Sequence, residues 1–292
     1  MKKRFFYVLI ILLVATLYGQ TKPADTSTPS PYEPSILKSF ADSLYEEGFL
    51  TQAEGEYKRY LFSQTDFLQE NTDIQTSLLA LSNIYKKQND TNGITWLKEN
   101  FYDSAIFSVK EKINFTQAGF VFKTRNASDF SLFTASFEQD KQSFSRVFTD
   151  LIDTSALVLH NDIGGLKNQC ARLSRTNPDY EKLNSLCLDY KIKSPGLALF
   201  LSTIIPGSGK WYTGSFGTFV SSFLMVGSFV AGTVITGIQT EWKSWQPYVF
   251  GTCGLVLYIA EIYGAYQSAK RYNQAQYRRL CEEIDKLYEK EY

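Results

Sequence analysis

The sequence predicts an all-α protein in which helical hairpins are followed by a transmembrane helical hairpin and a C-terminal amphipathic helix. Apolar residues recur at helical spacing between residues 35 and 191, two later stretches are long and apolar enough to cross a bilayer, and the final stretch is polar with one narrow apolar stripe. No strand pattern is persuasive. The Phe- and Thr-rich segment 115–137 could supply a short strand pair, but a helix with a loop fits it better.

Residues 1–19 have the anatomy of an export signal. Basic residues at positions 2 to 4 precede an apolar run from Phe5 to about Leu17, and small Gly19 provides a cleavage position. Leu17 fits a cleavage site poorly, so an uncleaved anchor is the alternative. Because either form exports the helical domain after it, we expect a bacterial envelope protein at the inner (cytoplasmic) membrane, with that domain on the periplasmic side.

Residues 20–34 should form a disordered tether, because a segment with four prolines and no apolar face cannot offset its ordering entropy. The exported helical domain then covers residues 35–191. Its opening stretch, ADSLYEEGFLTQAEGEYKRYLF, resembles a tetratricopeptide repeat, in which pairs of antiparallel helices stack on one another. The matching positions are Ala41, Gly48, Ala53, Tyr57 and Leu61.

Each matching position has a physical role in such a repeat. The small residues, Gly48 among them, would let two helices approach closely, while the tyrosine and the leucine would fill the groove toward the next pair. A weaker second copy, LLALSNIYKKQNDTNGITWLKENF, matches at Tyr85, Ile94, Leu97 and Phe101. The resemblance implies a groove lined by aromatic side chains that binds a protein or peptide partner.

Charge and composition narrow the range of partners and cofactors. Lys+Arg and Asp+Glu both number 30, which gives no reason to expect nucleic acid as a partner. Four cysteines without C-x-x-C spacing and a single histidine argue against a zinc site, and we expect no cofactor. Cys170 and Cys187 flank a turn at Pro178, so they either form a disulfide in an oxidising compartment or are two small buried apolar residues.

Residues 215–267 predict a transmembrane hairpin. Phe216 to Ile238 has 23 residues without a charge and Tyr248 to Tyr266 has 19 with one, where about 20 suffice to cross a bilayer. The short connection between them carries Trp242 and Trp245, which suits a turn at the level of the headgroups. Membrane lipid is therefore the first partner that we expect.

The preceding segment, 192–214, predicts an interfacial or re-entrant element, because only about ten apolar residues come before Pro206. Its IIPGSGKWYTG is reminiscent of a nucleotide-binding loop. Such a loop needs G-x-x-x-x-G-K-[ST], however, and Ile204 and Trp211 occupy the two outer positions, so we expect no nucleotide. The Pro-Gly turn instead redirects the chain between two membrane-associated segments.

The same stretch is similar to the two-transmembrane domain family, whose pattern is K-S-x-x-x-A-x-x-L-S-x-x-x-P-G-x-G-x-x-Y-x-G. The resemblance covers roughly residues 193–273, and it implies an envelope membrane module without naming an activity. The matching positions are Lys193, Ser194, Ala198, Leu201, Ser202, Pro206, Gly207, Gly209, Tyr212 and Gly214.

Glu261 is the strongest candidate for a functional residue in the predicted hairpin, because an ionisable group in lipid is costly and marks a functional site by default. It lies near the polar end of its helix, so snorkelling or pairing with Lys210 are alternatives to ion conduction or a proton relay. On the same helix, Ala260, Gly264 and Ser268 form a small-residue stripe along which another helix could pack.

Residues 268–292 predict an amphipathic C-terminal helix with a narrow seam that includes Cys281 and Tyr288. This helix either joins two copies into a homo-oligomer or lies back on the helical domain of its own chain. The sequence leaves two alternatives for the side of the membrane on which this helix lies. Segment lengths favour two crossings, whereas basic residues such as Lys270 are typical of the cytoplasmic side and favour three.

The function expected from these features is a membrane-anchored, non-catalytic helical-repeat adaptor of the cell envelope that binds a protein or peptide. The alternative is a small oligomeric transporter or channel subunit that uses Glu261. An enzyme is not expected, because the candidate catalytic groups reduce to His160, Asp150 and Asp153, and a solvated surface accounts for those.

Overall fold

The computed structural model describes residues 33–64, 71–138, 143–176 and 178–290. Within these ranges the chain forms thirteen α-helices, one short 3₁₀ turn and no strand, which confirms the predicted all-α class. The segment 115–137 is helical as well, so the strand-pair alternative is wrong. The predicted export signal and all but the last two residues of the predicted tether lie outside the described residues.

The chain divides into two compact units, with the boundary between Val109 and Lys110. This boundary differs from the predicted one, since it falls inside the range 35–191 that the sequence assigns to a single domain. The last helix of the chain contributes to the hydrophobic core formed by the helices after residue 110, so these helices and the C-terminal segments belong to one unit.

Unit 1 consists of two helical hairpins. The first pairs α1 (Pro34–Glu46) with α2 (Leu50–Ser63), and the second pairs α3 (Thr72–Gln88) with α4 (Thr91–Phe101). The helices of the second hairpin begin at side-chain caps, which satisfy backbone N–H groups that have no partner within the helix. Asn71 accepts from Asp73 and Ile74, and Asp90 accepts from Asn92 and Gly93.

Unit 2 begins with five helices, α5 (Phe107–Lys123, which starts at the end of unit 1), α6 (Ala127–Ala135), α7 (Arg146–Leu159), α8 (Ile163–Thr176) and α9 (Glu181–Asp189). A 3₁₀ turn, Pro178–Tyr180, leads into α9. The core between these helices is rich in phenylalanine, whose rings meet edge to face or tilted at 5.0–6.2 Å between centroids.

Four further helices complete unit 2. Two are short, α10 (Pro195–Ile204) and α11 (Ser208–Tyr212), and two are long, α12 (Phe216–Gln239) and α13 (Gln246–Glu289). Both long helices are apolar enough over 18 residues to cross a membrane, and only 11% and 17% of those stretches are buried inside the fold. A core helix of a water-soluble protein would bury most of such a surface, so the exposed apolar faces are consistent with membrane association.

The 44 residues of α13 run without a break from the apolar stretch into the polar C-terminal stretch. The predicted second span and the predicted C-terminal amphipathic helix are thus one continuous element. Its last three turns enter the phenylalanine core, where the Tyr288 ring lies 5.1 Å from Phe115 and its hydroxyl is 3.0 Å from Ser155 Oγ. Of the two predicted arrangements for the seam, the structure has the one in which it packs on its own chain. The buried seam residues are Leu280, Cys281, Ile284, Leu287 and Tyr288.

Candidate functional site

Four of the five predicted repeat positions lie in the core of the first hairpin. Ala41, Ala53, Tyr57 and Leu61 are all buried. The Tyr57 hydroxyl donates to Asp42 Oδ1 at 2.7 Å, so its polar end has a partner despite its burial. Burial, followed by the hydrogen bond to Asp42, raises the pKa of Tyr57 well above its usual value.

Gly48, the fifth predicted repeat position, has a different role from the one expected. It is exposed, its φ is +84°, and a Cβ placed on it would meet no atom within 4 Å. The expectation that Gly48 lets the two helices approach closely is therefore wrong. Glycine is favoured here because the turn between α1 and α2 needs a left-handed backbone conformation, which a side chain opposes.

The second hairpin buries the expected residues, and it also shows a close contact that the sequence did not reveal. A Cβ placed on Gly93 would lie 2.3 Å from the ring of Tyr85, so the ring packs directly against the glycine backbone. Burial raises the pKa of Tyr85. The buried matching positions are Tyr85, Ile94, Leu97 and Phe101.

An aromatic patch lies between α2 and α4, the second helices of the two hairpins. It consists of Phe62, Trp96 and Phe101, whose ring centroids are 5.6–6.1 Å apart, with Lys58 Nζ 4.4 Å above the Trp96 ring. Phe62 is 66% exposed, although a phenylalanine side chain gains free energy by leaving water. Phe101 is buried and Trp96 is partly buried, so Phe62 is the ring of the patch that a partner could cover.

In unit 2 two glycines of the predicted membrane motif, Gly207 and Gly209, lie in close contact with neighbouring helices, whereas Gly214 has φ +91° and a Cβ on it would meet no atom within 4 Å. A Cβ on Gly209 would lie 2.0 Å from the Ala198 carbonyl oxygen and 2.8 Å from Ala265 Cβ. The Gly209 N–H donates to Ser202 Oγ at 2.9 Å, which satisfies a buried donor. Gly207 has φ +82° in the turn after Pro206, where a side chain would clash with Ser222 of α12.

Polar residues of the motif connect the two ends of this short segment by hydrogen bonds. Ser194 caps α10 by accepting from Leu197, and its own N–H donates to the Tyr212 hydroxyl at 3.3 Å. The Lys193 ammonium donates to the Tyr212 carbonyl. Asn273 of α13, which no sequence pattern singled out, pairs with the Lys193 backbone through two hydrogen bonds of 2.9 Å. The start of the segment is therefore bonded both to its end and to α13.

Glu261 has a charged partner in the structure. Its carboxylate accepts from the ammonium of Lys210 on α11, and the same ammonium donates to Ser222 Oγ at 3.0 Å. Both side chains are mostly buried, at 19% and 10% relative exposure. Of the alternatives open from the sequence, pairing with Lys210 is the one observed. The pair lies about 22 Å from the start of α13 at 1.5 Å per residue, inside the apolar stretch.

The small-residue stripe of α13 packs within the chain, one residue away from its predicted register. Gly264 faces the Lys210 side chain, with a Cβ position 3.4 Å from Cε, and Ser268 Oγ lies 2.7 Å from Thr213 Oγ1. Ala260 is exposed, whereas Ala265 is buried. The contact face therefore contains Glu261, Ala265 and Ala269, and the ion pair to Lys210 of α11 lies on it.

The short helix α10 ends at Ile204, and beyond it α12 and α13 face each other. An apolar groove of about 450 Å³ remains there between Val226 and Val230 on one side and Gly254 and Leu255 on the other. The helix α10 therefore covers only part of the length of the two long helices.

Cys170 of α8 and Cys187 of α9 are bonded through their sulfur atoms, with their Cα atoms 6.5 Å apart. The turn at Pro178 folds the two helices back on each other, which is the arrangement that a disulfide at this spacing requires. The other two cysteines are free, Cys253 exposed on α13 and Cys281 buried in the core.

The groups weighed as catalytic candidates have structural partners. Asp150 accepts from Arg172 at 2.6 Å and from Gln169 at 3.1 Å, and the exposed His160 lies 3.1 Å from Ser131 Oγ. Among the described residues no group of three or more His, Cys, Asp or Glu side chains is placed to hold a metal ion.

No protein family, curated protein or solved structure that we compared with the chain matches it.

Proposed function

We propose that the chain is a membrane-anchored, non-catalytic adaptor of the cell envelope, with tetratricopeptide-like hairpins that bind a protein or peptide partner. The aromatic patch of unit 1, in which Phe62 is exposed, is the observation that carries this proposal. Aromatic side chains are enriched where proteins bind one another, and a ring that is 66% exposed gains free energy when a partner covers it.

The anchor in this proposal is the pair α12 and α13, whose apolar stretches stay exposed in the fold. The helix α10 and the turn at Pro206 resemble the two-transmembrane domain module, and the contacts of Gly209 and Tyr212 account for the residue types of its motif. We place the anchor in the inner membrane with the helical domain on the periplasmic side. The disulfide between Cys170 and Cys187 supports an oxidising compartment for unit 2.

A small transporter or channel, the alternative from the sequence, depends on Glu261. The buried carboxylate of Glu261 pairs with Lys210. This ion pair accounts for a charged residue at this position without an ion pathway. The adaptor is therefore the function that these contacts favour.

Site-specific photocrosslinking in native membranes tests the adaptor. A photoreactive phenylalanine analogue at Phe62 should form one discrete adduct with a different protein, and the substitution Trp96→Ala should abolish that adduct. Phe40, which is exposed on α1 but is not part of the patch, is the matched control position and should form none. A ladder of homo-oligomers, or no adduct from either position, would contradict the proposal.

A further inference from the structure

The membrane topology of unit 2 follows from where the chain leaves its helical core and where it returns. The chain leaves this core after Tyr190, which is itself a core residue, and passes through α10, α11 and α12. It comes back into the same core at Leu280 and Tyr288 of α13. A folded core cannot lie on both sides of a bilayer, so the number of crossings between these two points is even.

The lengths within α13 fit one crossing followed by a water-exposed half. Its apolar stretch, Tyr248 to Tyr266, extends about 28 Å at 1.5 Å per residue, close to the hydrocarbon thickness of about 30 Å. The remaining half carries the charged residues and the core seam, with ion pairs from Lys182 to Glu283 at 2.7 Å and from Lys123 to Glu289 at 3.2 Å. The junction between these halves is therefore the membrane surface on the side of the core.

The segment with α10 and α11 enters and leaves on that same side. The ten residues of α10 extend about 15 Å, which is half of the hydrocarbon thickness. The chain then turns at Pro206 and comes back, so that Tyr212 meets Lys193 and Ser194 at the start of the segment. Asn273, just after the apolar stretch of α13, holds Lys193 by two hydrogen bonds. All of these residues belong to one membrane surface.

From these contacts we infer that unit 2 crosses the bilayer twice, through α12 and α13, and that α10 and α11 form a re-entrant hairpin. The helices α5 to α9 and the C-terminus then face one compartment. The connection 240–245, with the exposed Trp242 and Trp245, is the only described part of unit 2 on the other face. Any soluble partner of α5 to α9 must consequently come from the compartment of the C-terminus.

This topology has two crossings, whereas the basic residues after the apolar stretch of α13 favour three. Three crossings would place Lys270 and Arg271 opposite to α5–α9, and Leu280, Ile284 and Tyr288 would have to leave their core. Three side chains buried in a packed core stabilise this arrangement, whereas the basic residues gain only a preference for one membrane surface. The inference is independent of the proposed adaptor function, because it holds for any activity of the chain.

Cysteine accessibility in sealed membranes tests the topology on the full chain. The Cys253→Ala chain serves as the parent, with its buried Cys281 and its disulfide left in place. Single cysteines are introduced at Leu132, Lys243 and Arg278, all of which have exposed side chains. Labelling by a membrane-impermeant maleimide is compared with labelling after detergent, which gives the fully accessible signal, and the unsubstituted parent gives the background.

We expect Leu132→Cys and Arg278→Cys to react from the same side of the membrane and Lys243→Cys to react from the opposite side. Reaction of Arg278→Cys together with Lys243→Cys, opposite to Leu132→Cys, would establish an odd number of crossings and overturn the inference. Reaction of all three from one side would overturn it as well, since the long helices would then not cross. Limited proteolysis of each variant against the parent verifies the fold.

Discussion

The ammonium of Lys210 and the carboxylate of Glu261 form an ion pair between α11 and α13, within the apolar stretch of the long helices. Ser222 of α12 accepts a further hydrogen bond from the same ammonium at 3.0 Å. Three elements therefore meet at one polar point. A buried pair of this kind can specify how helices pack, because a buried charge is costly unless its partner lies beside it.

Removing either charge alone should destabilise unit 2 strongly. Glu261→Gln leaves a buried ammonium and Lys210→Met leaves a buried carboxylate, and breaking a buried pair costs about 3–5 kcal/mol. The double variant should be more stable than either single variant, since no uncompensated charge remains. Thermal unfolding of the detergent-solubilised chain measures these differences.

The exposed pair of Glu241 and Lys243 in the connection 240–245 is the matched control, and Lys243→Met should cost no more than about 1 kcal/mol. If Glu261→Gln left stability unchanged but abolished a transport activity of the membranes, the structural interpretation of Glu261 would be wrong. The channel alternative would then be the better one.

Gly209→Ala should move α11 away from α10 and α13. The added methyl group would meet the Ala198 carbonyl oxygen at 2.0 Å, which is a backbone atom and cannot rotate away, and it would also lie 2.8 Å from Ala265 Cβ. Overpacking of this kind costs roughly 1–3 kcal/mol. Gly227→Ala on α12 is the control, because no atom lies within 4 Å there and alanine favours a helix by about 1 kcal/mol over glycine. Equal effects of the two substitutions on thermal unfolding would contradict the packing role of Gly209.

Local features of this fold could be predicted from the sequence because they depend on neighbours along the chain. Helical periodicity places Ala41 and Tyr57 on the buried faces of α1 and α2, and the run of uncharged residues marks α12. The turn at Pro206 follows from residue chemistry alone, since proline and glycine redirect the chain in any surrounding.

Features that depend on residues distant in sequence could not be predicted in the same way. A seam with spacings of four, three and four fits a partner helix of another copy as well as the core of its own chain, and only the fold decides that Tyr288 meets Ser155. Gly48 is ambiguous for the same reason, because glycine serves both a left-handed turn and a close helix contact. The role of Asn273 could not be predicted, because its side-chain amide acts through hydrogen bonds to the backbone of Lys193, which is distant in sequence.

The C-terminal half of α13 should be required for the folding of α5 to α9. Deletion of residues 271–292 removes the seam from the core, so these five helices should become sensitive to proteases while the hairpins of unit 1 stay resistant. The point variant Ile284→Ala should cost about 2–5 kcal/mol, because it leaves a cavity in a packed core. Proteolysis of membranes followed by mass spectrometry of the fragments measures both effects.

Arg278→Ala provides the control on the same helix, since its side chain is 73% exposed and it should change stability by no more than about 0.5 kcal/mol. Protease resistance of α5 to α9 in the truncated chain would show that their core does not depend on α13.

The disulfide between Cys170 and Cys187 should be present in the native chain. When membranes are denatured directly in a polyethylene-glycol maleimide, we expect two labels, on the free Cys253 and Cys281, and four after reduction. The double variant Cys170→Ala/Cys187→Ala should give two labels under both conditions. It should also lose about 3 kcal/mol of stability, the value for closing a loop of about 15 residues. Four labels without reductant would place unit 2 in a reducing compartment.

The buried hydroxyl of Tyr57 makes the stability of unit 1 sensitive to alkaline pH. Burial and the hydrogen bond to Asp42 raise the pKa of Tyr57 in the folded chain, whereas an unfolded tyrosine ionises near pH 10. Below about pH 10 both states hold the proton, and the stabilising contribution is complete. Above about pH 10 only the unfolded state releases the proton, so stability falls as the pH rises.

Replacement of Tyr57 by phenylalanine should therefore make the stability of unit 1 less dependent on pH. Each tyrosine that ionises only in the unfolded state lowers the free energy of unfolding by about 1.4 kcal/mol per pH unit above about pH 10. Tyr57→Phe should reduce the slope by this amount, whereas its lost hydrogen bond to Asp42 shifts the curve at every pH and leaves the slope alone. The slope is measured by urea unfolding followed by the fluorescence of Trp96, in a chain whose other three tryptophans are replaced by phenylalanine. Equal slopes with Tyr57 and with Tyr57→Phe would mean that Tyr57 already ionises in the folded state.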